Sequence, residues 1–586
     1  MDWIKLKLTQ YIISVVLIII LFALIFYNII SKLHLIHFIL IFIYFYQYSH
    51  SVYFHDHGAF NLIGLFVVLF ISLIILLILQ VFLTIFKYQY KYKFISILFL
   101  IFFYNVLIDP INCDDWPKGL NNTYIENDKN KYGCQIIFPK SCSYKIIAYT
   151  QDISKFWPKN CKNKNRNSKE KILKFSKSPY INSNTLKFGF PLTNNDVGKK
   201  DGIDDTVLKE YTSKYLIDMD KSLPLNLDRP EYIVDFSKDP LGEVTINLNF
   251  NETLSKERKK LEINSIPYSN NILLLYIDSV SRANALRKMK KTISFIDQFI
   301  SYQGGHNKKN PNENFHSFQF FKYHSHKYYT VGNFPILFYG NHRNASNKHI
   351  NLYLKRNGFV TCYAADNCYN DFTVTFHNFS SADVFDHHYS VCDPNFLGPT
   401  SKLYCDYNKI YFEYVLEYAN QFLRKYNNNQ KFLLILSNFA HEGSYEKLKY
   451  IDNIMYQFFY RLFNDNLLKE TSLFLLSDHG VSVPSIYYLN EFYRYERVLP
   501  MFYILVNDRK NIDYESQYKY LNENQQSFIT GFDIYNTIIN LIFGDKYGTE
   551  ETKNITSKQG QSLFSKINSL NRSPKDYSSM DLYACI

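Results

Sequence analysis

Residues 271–282 read NILLLYIDSVSR, an almost unbroken apolar run from Asn271 to Ile277 that stops on an aspartate, Asp278. A short continuous apolar run predicts a strand buried on both faces, because a strand with one wet face would alternate. Similar runs recur at Phe359 to Ala364, Phe432 to Asn438, Ser472 to Leu476 and Pro500 to Val506. Helical periodicity lies between them, at Ala283 to Ile300, Lys409 to Tyr426 and Tyr450 to Phe463. Strands alternating with helices predict an α/β domain with a mostly parallel sheet sandwiched by helices. Ligands of such sheets gather at the carboxyl ends of the strands, so the polar residues directly after the apolar runs are the first candidates.

Three strand ends carry such residues. Asp278 closes the first strand, Asp478-His479-Gly480 closes the strand that begins at Ser472, and His441 follows the strand that begins at Phe432. Two carboxylates and two imidazoles on one sheet edge suit a divalent cation of the Zn, Mn, Mg or Ca type. Any one of them alone is more often a cap of the next helix or turn. As a set they predict a metal centre.

These residues also carry a resemblance. Asp278 in a strand-end IDS and Asp478-His479-Gly480 in a strand-end SDHG are similar to the first and late metal-binding motifs of the alkaline phosphatase superfamily. That superfamily includes sulfatases, phosphodiesterases and membrane-bound phosphoglycerol and phosphoethanolamine transferases. DSVSRANALRKMKKT (278–292), with Arg282 and Arg287, the segment Glu496 to Pro500 and the closing Phe532 to Thr537 resemble a sulfatase-like family of eukaryotic membrane proteins. The likeness spans roughly residues 270 to 545.

The resemblance implies a nucleophile at the start of a helix, ten residues before a glycine. Counting back from Gly340 gives Thr330, with Asn333 three residues on. A second register, set by Phe334-Pro335, would put Asn333 in the nucleophile's place, where no hydroxyl is available. In the Thr330 register Asp278, Asp478, His479 and the Thr330 oxygen would bind one divalent ion. Asn333 and the helix N-terminus would stabilise nonbridging oxygens in the transition state, and His441 would bind substrate or protonate the leaving group. A second metal is disfavoured: no histidine follows His479, and Ser437 stands where the two-metal enzymes have an aspartate. A threonine cannot become the formylglycine of sulfatases, so the transferred group is expected to be phosphoryl.

The amino-terminal part reads differently. Tyr11 to Ile30 and Asn61 to Phe86 are long enough to cross a bilayer, Phe94 to Ile108 is shorter, and Leu35 to Phe45 is a fourth apolar run. They predict a bundle of three or four transmembrane helices. Lys87, Lys91 and Lys93 before the last run belong in the cytoplasm by the positive-inside rule. Everything after about residue 110 is then lumenal or extracellular, in the endoplasmic reticulum, Golgi or at the cell surface. The expected organisation is a membrane anchor at 1–110, a cysteine-bearing lead-in at 111–265 and a catalytic domain at 266–586.

None of the nine cysteines falls in the apolar region, and none has zinc-type CxxC spacing. An oxidising compartment makes disulfides the expectation and buried thiols the alternative. Sequons at Asn121, Asn251, Asn344, Asn378 and Asn554 are compatible with glycosylation. The formal charge of +12 is spread along the whole chain, so no nucleic-acid footprint is expected. Asp386, His387 and His388, and also His324 and His326, are lesser candidates for the substrate site.

These expectations add up to a membrane-anchored, metal-dependent phosphotransferase or phosphodiesterase with a threonine nucleophile. Its substrate would be a phosphoester, either lipid- or glycan-linked or soluble. The rival from another class is a catalytically inactive membrane glycoprotein that keeps the fold for a structural or binding role.

Overall fold

The computed structural model describes most of residues 243–568, with gaps that include 367–384 and 391–404, and a few short segments outside that range. The four apolar runs of the expected anchor lie outside the described residues, among which no helix is long and apolar enough to cross a membrane.

After a two-residue antiparallel pairing of Pro110–Ile111 with Ser143–Tyr144, an antiparallel sheet of three strands is formed by β1 (Ile172–Phe175), β2 (Glu231–Asp235) and β3 (Glu243–Asn247), followed by helix α1 (Glu252–Glu262). The elements that follow are β4 (Asn271–Ile277), α2 (Arg282–Lys288), α3 (Lys290–Asp297), β5 (Phe315–Gln319), α4 (Thr330–Tyr339) and α5 (Ile350–Arg356). Next come β6 (Val360–Ala365), β7 (His387–Ser390), α6 (Tyr411–Lys425), β8 (Lys431–Ser437), α7 (Leu448–Asn464) and β9 (Thr471–Leu476). After these come α8 (Glu491–Val498), β10 (Phe502–Asn507), α9 (Tyr514–Asn524) and α10 (Gly531–Phe543), with a short helix at Glu550–Lys553 beyond them.

Seven strands form the main sheet in the order β7-β6-β8-β4-β9-β10-β5. The first five run parallel to one another. β10 pairs antiparallel with β9, and β5 antiparallel with β10. The predicted α/β class and the mostly parallel sheet are therefore present.

Each predicted buried strand has two covered faces. In β4, Leu273, Leu275 and Ile277 pack with α6 and α7 residues such as Phe422 and Phe459. Ile272, Leu274 and Tyr276 pack on the other side with Phe334 of α4 and Ile538 of α10. Successive strand side chains point to opposite faces, so an unbroken apolar run is what a three-layer sandwich requires of its central strand. Truncating one of these side chains, for example Leu275→Ala, would cost about 2–5 kcal/mol. The core also takes in Ile246 and Leu248, which precede the expected domain boundary at 265.

Two expectations are corrected here. The helix expected over Ala283 to Ile300 is two helices, broken at Met289 (φ −106°, ψ 43°). Cys362 is not in a disulfide: it is a fully buried free thiol in the middle of β6, and burial raises its pKa well above the usual value. A thiol so placed is a small core hydrophobe.

Candidate metal centre

The register of the central strands sets the site. Leu476 of β9 is paired with Tyr276 of β4, so the chain two residues further on brings Asp478 level with Asp278. Asp278 is 1% exposed and Asp478 is fully buried. His479 enters from the same loop as Asp478. Its Nε2 is 3.5 Å from Asp278 Oδ1 and 3.5 Å from Asp478 Oδ2.

Local contacts fix this geometry. Ser477 Oγ donates to the His479 carbonyl at 2.8 Å and accepts from the Val280 amide at 2.9 Å, which pins the two strand-end loops together. Ser279 adopts φ +63°, uncommon for a residue with a side chain, and its hydroxyl donates to Asp278 Oδ1 at 2.9 Å. Gly480 donates its amide to Arg497 O at 2.8 Å, and a Cβ there would lie 1.8 Å from Glu496 O. Only glycine allows that approach. Glu496, fully buried, accepts from Ser281 Oγ at 2.5 Å and Arg287 Nη2 at 2.8 Å. Arg282 lies under Phe321, 4.8 Å from the ring centroid, and burial lowers its pKa to about 10, so it stays charged at neutral pH.

Thr330 arrives from the opposite side as the first residue of α4, whose last residue is followed by Gly340 in the left-handed conformation (φ +63°). The helix therefore starts and stops where the ten-residue spacing put it. Thr330 Oγ1 is 3.3 Å from Asp278 Oδ2 and 3.3 Å from His479 Nε2.

The donor set fits a cation. His479 Nδ1 lies 2.7 Å from the Gly480 carbonyl, which can only accept, so Nδ1 carries the proton and Nε2 presents its lone pair to the site. The Thr330 hydroxyl has one proton to donate to Asp278, so its own oxygen faces a second acceptor in Nε2. Both Asp478 oxygens are buried without a hydrogen-bond partner among the described residues. A buried carboxylate in that state is costly unless a charge balances it. One ligand atom from each of Asp278, Asp478 and His479 lies within 4.8 Å of the other two, a spacing that one metal ion could bridge.

Asn333 departs from expectation. Its Oδ1 accepts from the His326 and Lys327 amides, both at 2.8 Å, and its Nδ2 donates to Lys327 O at 2.6 Å and Tyr329 O at 3.1 Å. Its carboxamide holds the loop that leads into Thr330, so its two N–H donors are already engaged within the chain. His441 is half-buried in the turn after β8, where its amide donates to Asn438 O at 2.9 Å, and it is not part of the ligand group.

The lesser candidates have structural partners. Asp386 joins Arg258 at 2.7 Å and Lys355 at 3.3 Å and accepts from the Thr361 amide at 2.9 Å. Burial pushes its pKa up, but Lys355 and Arg258 outweigh burial and hold it below the usual carboxylate range. His387 Nε2 is 2.8 Å from the Tyr426 hydroxyl. His324 accepts from the Ala584 amide and contacts Lys322 O, while the His326 ring lies edge-on to Phe532. Asp366, which the sequence reading missed, ends β6 and accepts from Ser437 Oγ at 2.6 Å and the Asn438 amide at 2.7 Å. An aspartate closing an apolar strand was its available signal.

A family described only as "Protein of unknown function (DUF229)" matches residues 243–577, more than half of the chain. The chain belongs to this family. The match begins at β3, where the core begins, and takes in every residue of the site. The match spans the segments on which the sulfatase-like resemblance was read from the sequence. No curated protein matches the sequence. Among solved structures, the C-terminal periplasmic domain of EcEptC from Escherichia coli is 13% identical, covering 51% of this chain and 91% of that one at a TM-score of 0.31. Lipoteichoic acid synthase LtaP from Listeria monocytogenes is 12% identical over 54% of this chain and 81% of its own, TM-score 0.32. A protein of the alkaline phosphatase superfamily from Vibrio parahaemolyticus is 12% identical, over 54% and 80%, TM-score 0.34.

Proposed function

We propose that this protein is a membrane-anchored phosphotransferase or phosphodiesterase that works through Thr330 on phosphoesters outside the cytoplasm. The observation that carries this reading is the Thr330 hydroxyl, held at a helix N-terminus 3.3 Å from both Asp278 and His479 in a buried group fit for a cation. Asp278, Asp478, His479 and Thr330 Oγ1 would hold a single divalent ion, whose positive charge would acidify the hydroxyl and offset charge on the phosphoryl oxygens.

The chain's own residues then have definite tasks. Asp278 Oδ2 orients the Thr330 hydroxyl and takes its proton. The oxygen attacks phosphorus, the bond to the leaving oxygen breaks, and His441 protonates the departing alkoxide. The amide groups at the start of α4 face the phosphoryl oxygens. Asn333 acts on the reaction by fixing residues 326–329 and so the direction of Thr330. Water or an acceptor alcohol, deprotonated by His441, then attacks the same phosphorus, the bond to the Thr330 oxygen breaks, and Asp278 returns its proton to that oxygen. The apolar runs before residue 110 support a site tethered to a membrane on its lumenal or extracellular side, which favours lipid head groups or glycan anchors as substrates.

The test is cleavage of a p-nitrophenyl phosphodiester by the metal-supplemented protein. Wild type should turn over, Thr330→Ala should fall to background, and Thr330→Ser should keep part of the rate. Full activity in Thr330→Ala would overturn the reading.

A further inference from the structure

Asn438 occupies the turn directly after β8. It is 6% exposed, and both Oδ1 and Nδ2 are buried without a hydrogen-bond partner among the described residues. Its backbone is held firmly, because Asp366 Oδ1 accepts its amide at 2.7 Å while Oδ2 accepts the neighbouring Ser437 hydroxyl at 2.6 Å. The side chain has no such anchor. A buried carboxamide left unsatisfied is costly, so an asparagine here is a poor choice for packing alone.

Its location explains the choice. The Asp278 amide donates to Ser437 O at 2.9 Å, so Asn438 sits beside Asp278 on the neighbouring strand, about 5 Å away. The faces agree as well. Phe432, Leu434 and Leu436 share a core with Phe334 and Leu337 of α4, whereas Leu433, Ile435 and Phe439 belong to the opposite core. Alternation continues to position 438 and puts it on the face from which Thr330 approaches. Asn333, the amide expected to contact the transferred group, is already committed to the 326–329 loop.

We propose that Asn438 is a substrate-contacting residue whose Nδ2 donates to a nonbridging oxygen of the phosphoryl group bound at Thr330. The inference rests on the phosphoryl-transfer reading above and adds the residue that recognises the anion. It also accounts for the paired Asp366 contacts, which hold the Asn438 backbone in place.

The experiment uses the purified full chain loaded with metal, with Asn438→Ala and Asn438→Asp. Three properties are read: Tm, binding of inorganic phosphate by calorimetry, and kcat/KM on the p-nitrophenyl diester. Asn438→Ala should keep its metal and its Tm, bind phosphate about tenfold more weakly and lose roughly 100-fold in kcat/KM. Asn438→Asp should bind phosphate more weakly still, because a carboxylate repels the anion. Unchanged phosphate affinity in Asn438→Ala, or a lower Tm with kcat/KM intact, would overturn the proposal and make Asn438 structural. If wild type binds phosphate but cleaves nothing, the enzymatic reading fails and phosphate affinity alone decides the role of Asn438.

Discussion

Replacing Asp478 by asparagine should act in opposite directions on the metal-free and metal-loaded protein. Asp278 and Asp478 have ligand oxygens within 4.8 Å of each other, both buried. Two unit charges at that separation repel by about 3.5 kcal/mol at an effective dielectric near 20. Asp478→Asn removes this repulsion and leaves an amide with poor partners, at a cost of about 1–3 kcal/mol. The variant should therefore be as stable as wild type in chelator, or more stable by up to about 2 kcal/mol, which is a few degrees in Tm for a domain this size. Adding metal reverses the order. A ligand at 100 times its Kd stabilises by about 2.7 kcal/mol, so wild type should gain several degrees and the variant little. Thermal unfolding of both proteins, with chelator and with each of zinc, manganese, magnesium and calcium, is the assay. A wild type whose Tm ignores all four ions, or a variant clearly destabilised in chelator, would refute the reasoning.

Three further outcomes follow from the same geometry. Gly480→Ala drives a Cβ into the Glu496 carbonyl and must displace the loop that carries Asp478 and His479, so metal affinity in calorimetric titration should fall at least tenfold. Asp386→Asn breaks the buried contacts to Arg258 and Lys355 and should cost about 3–5 kcal/mol in urea unfolding at pH 7. Because the folded pKa of Asp386 is depressed, that stability is present above the unfolded value near 4 and disappears as pH falls through the folded pKa, so the variant's curve should be flatter at acid pH. His324 and His349 are buried neutral, their pKa values lowered by burial to about 4 and about 3. The unfolded chain binds those protons first, so each should remove about 1.4 kcal/mol per pH unit below about 6.5, measurable as a steeper loss of Tm in wild type than in His349→Gln.

The strands that hold the site were legible because their burial is written into composition. β4 matches its predicted bounds, and β6, β8 and β9 differ by a residue or so, since a strand covered on both faces must be apolar throughout. Strand direction was not legible. β10 has the same apolar texture as its parallel neighbours yet runs antiparallel, because a short apolar run carries no directional signal. β5, FHSFQ, escaped notice as a mixed edge strand, and the Met289 break between α2 and α3 has no proline or glycine to announce it. At the site, strand ends singled out Asp278, Asp478 and His479 as candidates, while Thr330 came from the resemblance, which sets a nucleophile ten residues before a glycine. The engagement of Asn333 and the orphaned amide of Asn438 were out of reach: both depend on which backbone groups come near in space. Asp386 and Cys362 teach the same lesson, since partners far along the chain decide their roles.

The whole proposed reaction depends on the Thr330 hydroxyl acting as the nucleophile. Mass spectrometry of peptides from an acid-quenched turnover mixture tests it most directly. A nucleophilic Thr330 should leave a phosphoryl adduct on the peptide containing it, present with metal and absent in chelator and in Asp478→Asn. Steady turnover of the diester with that peptide unmodified, or an adduct on another residue, would contradict it.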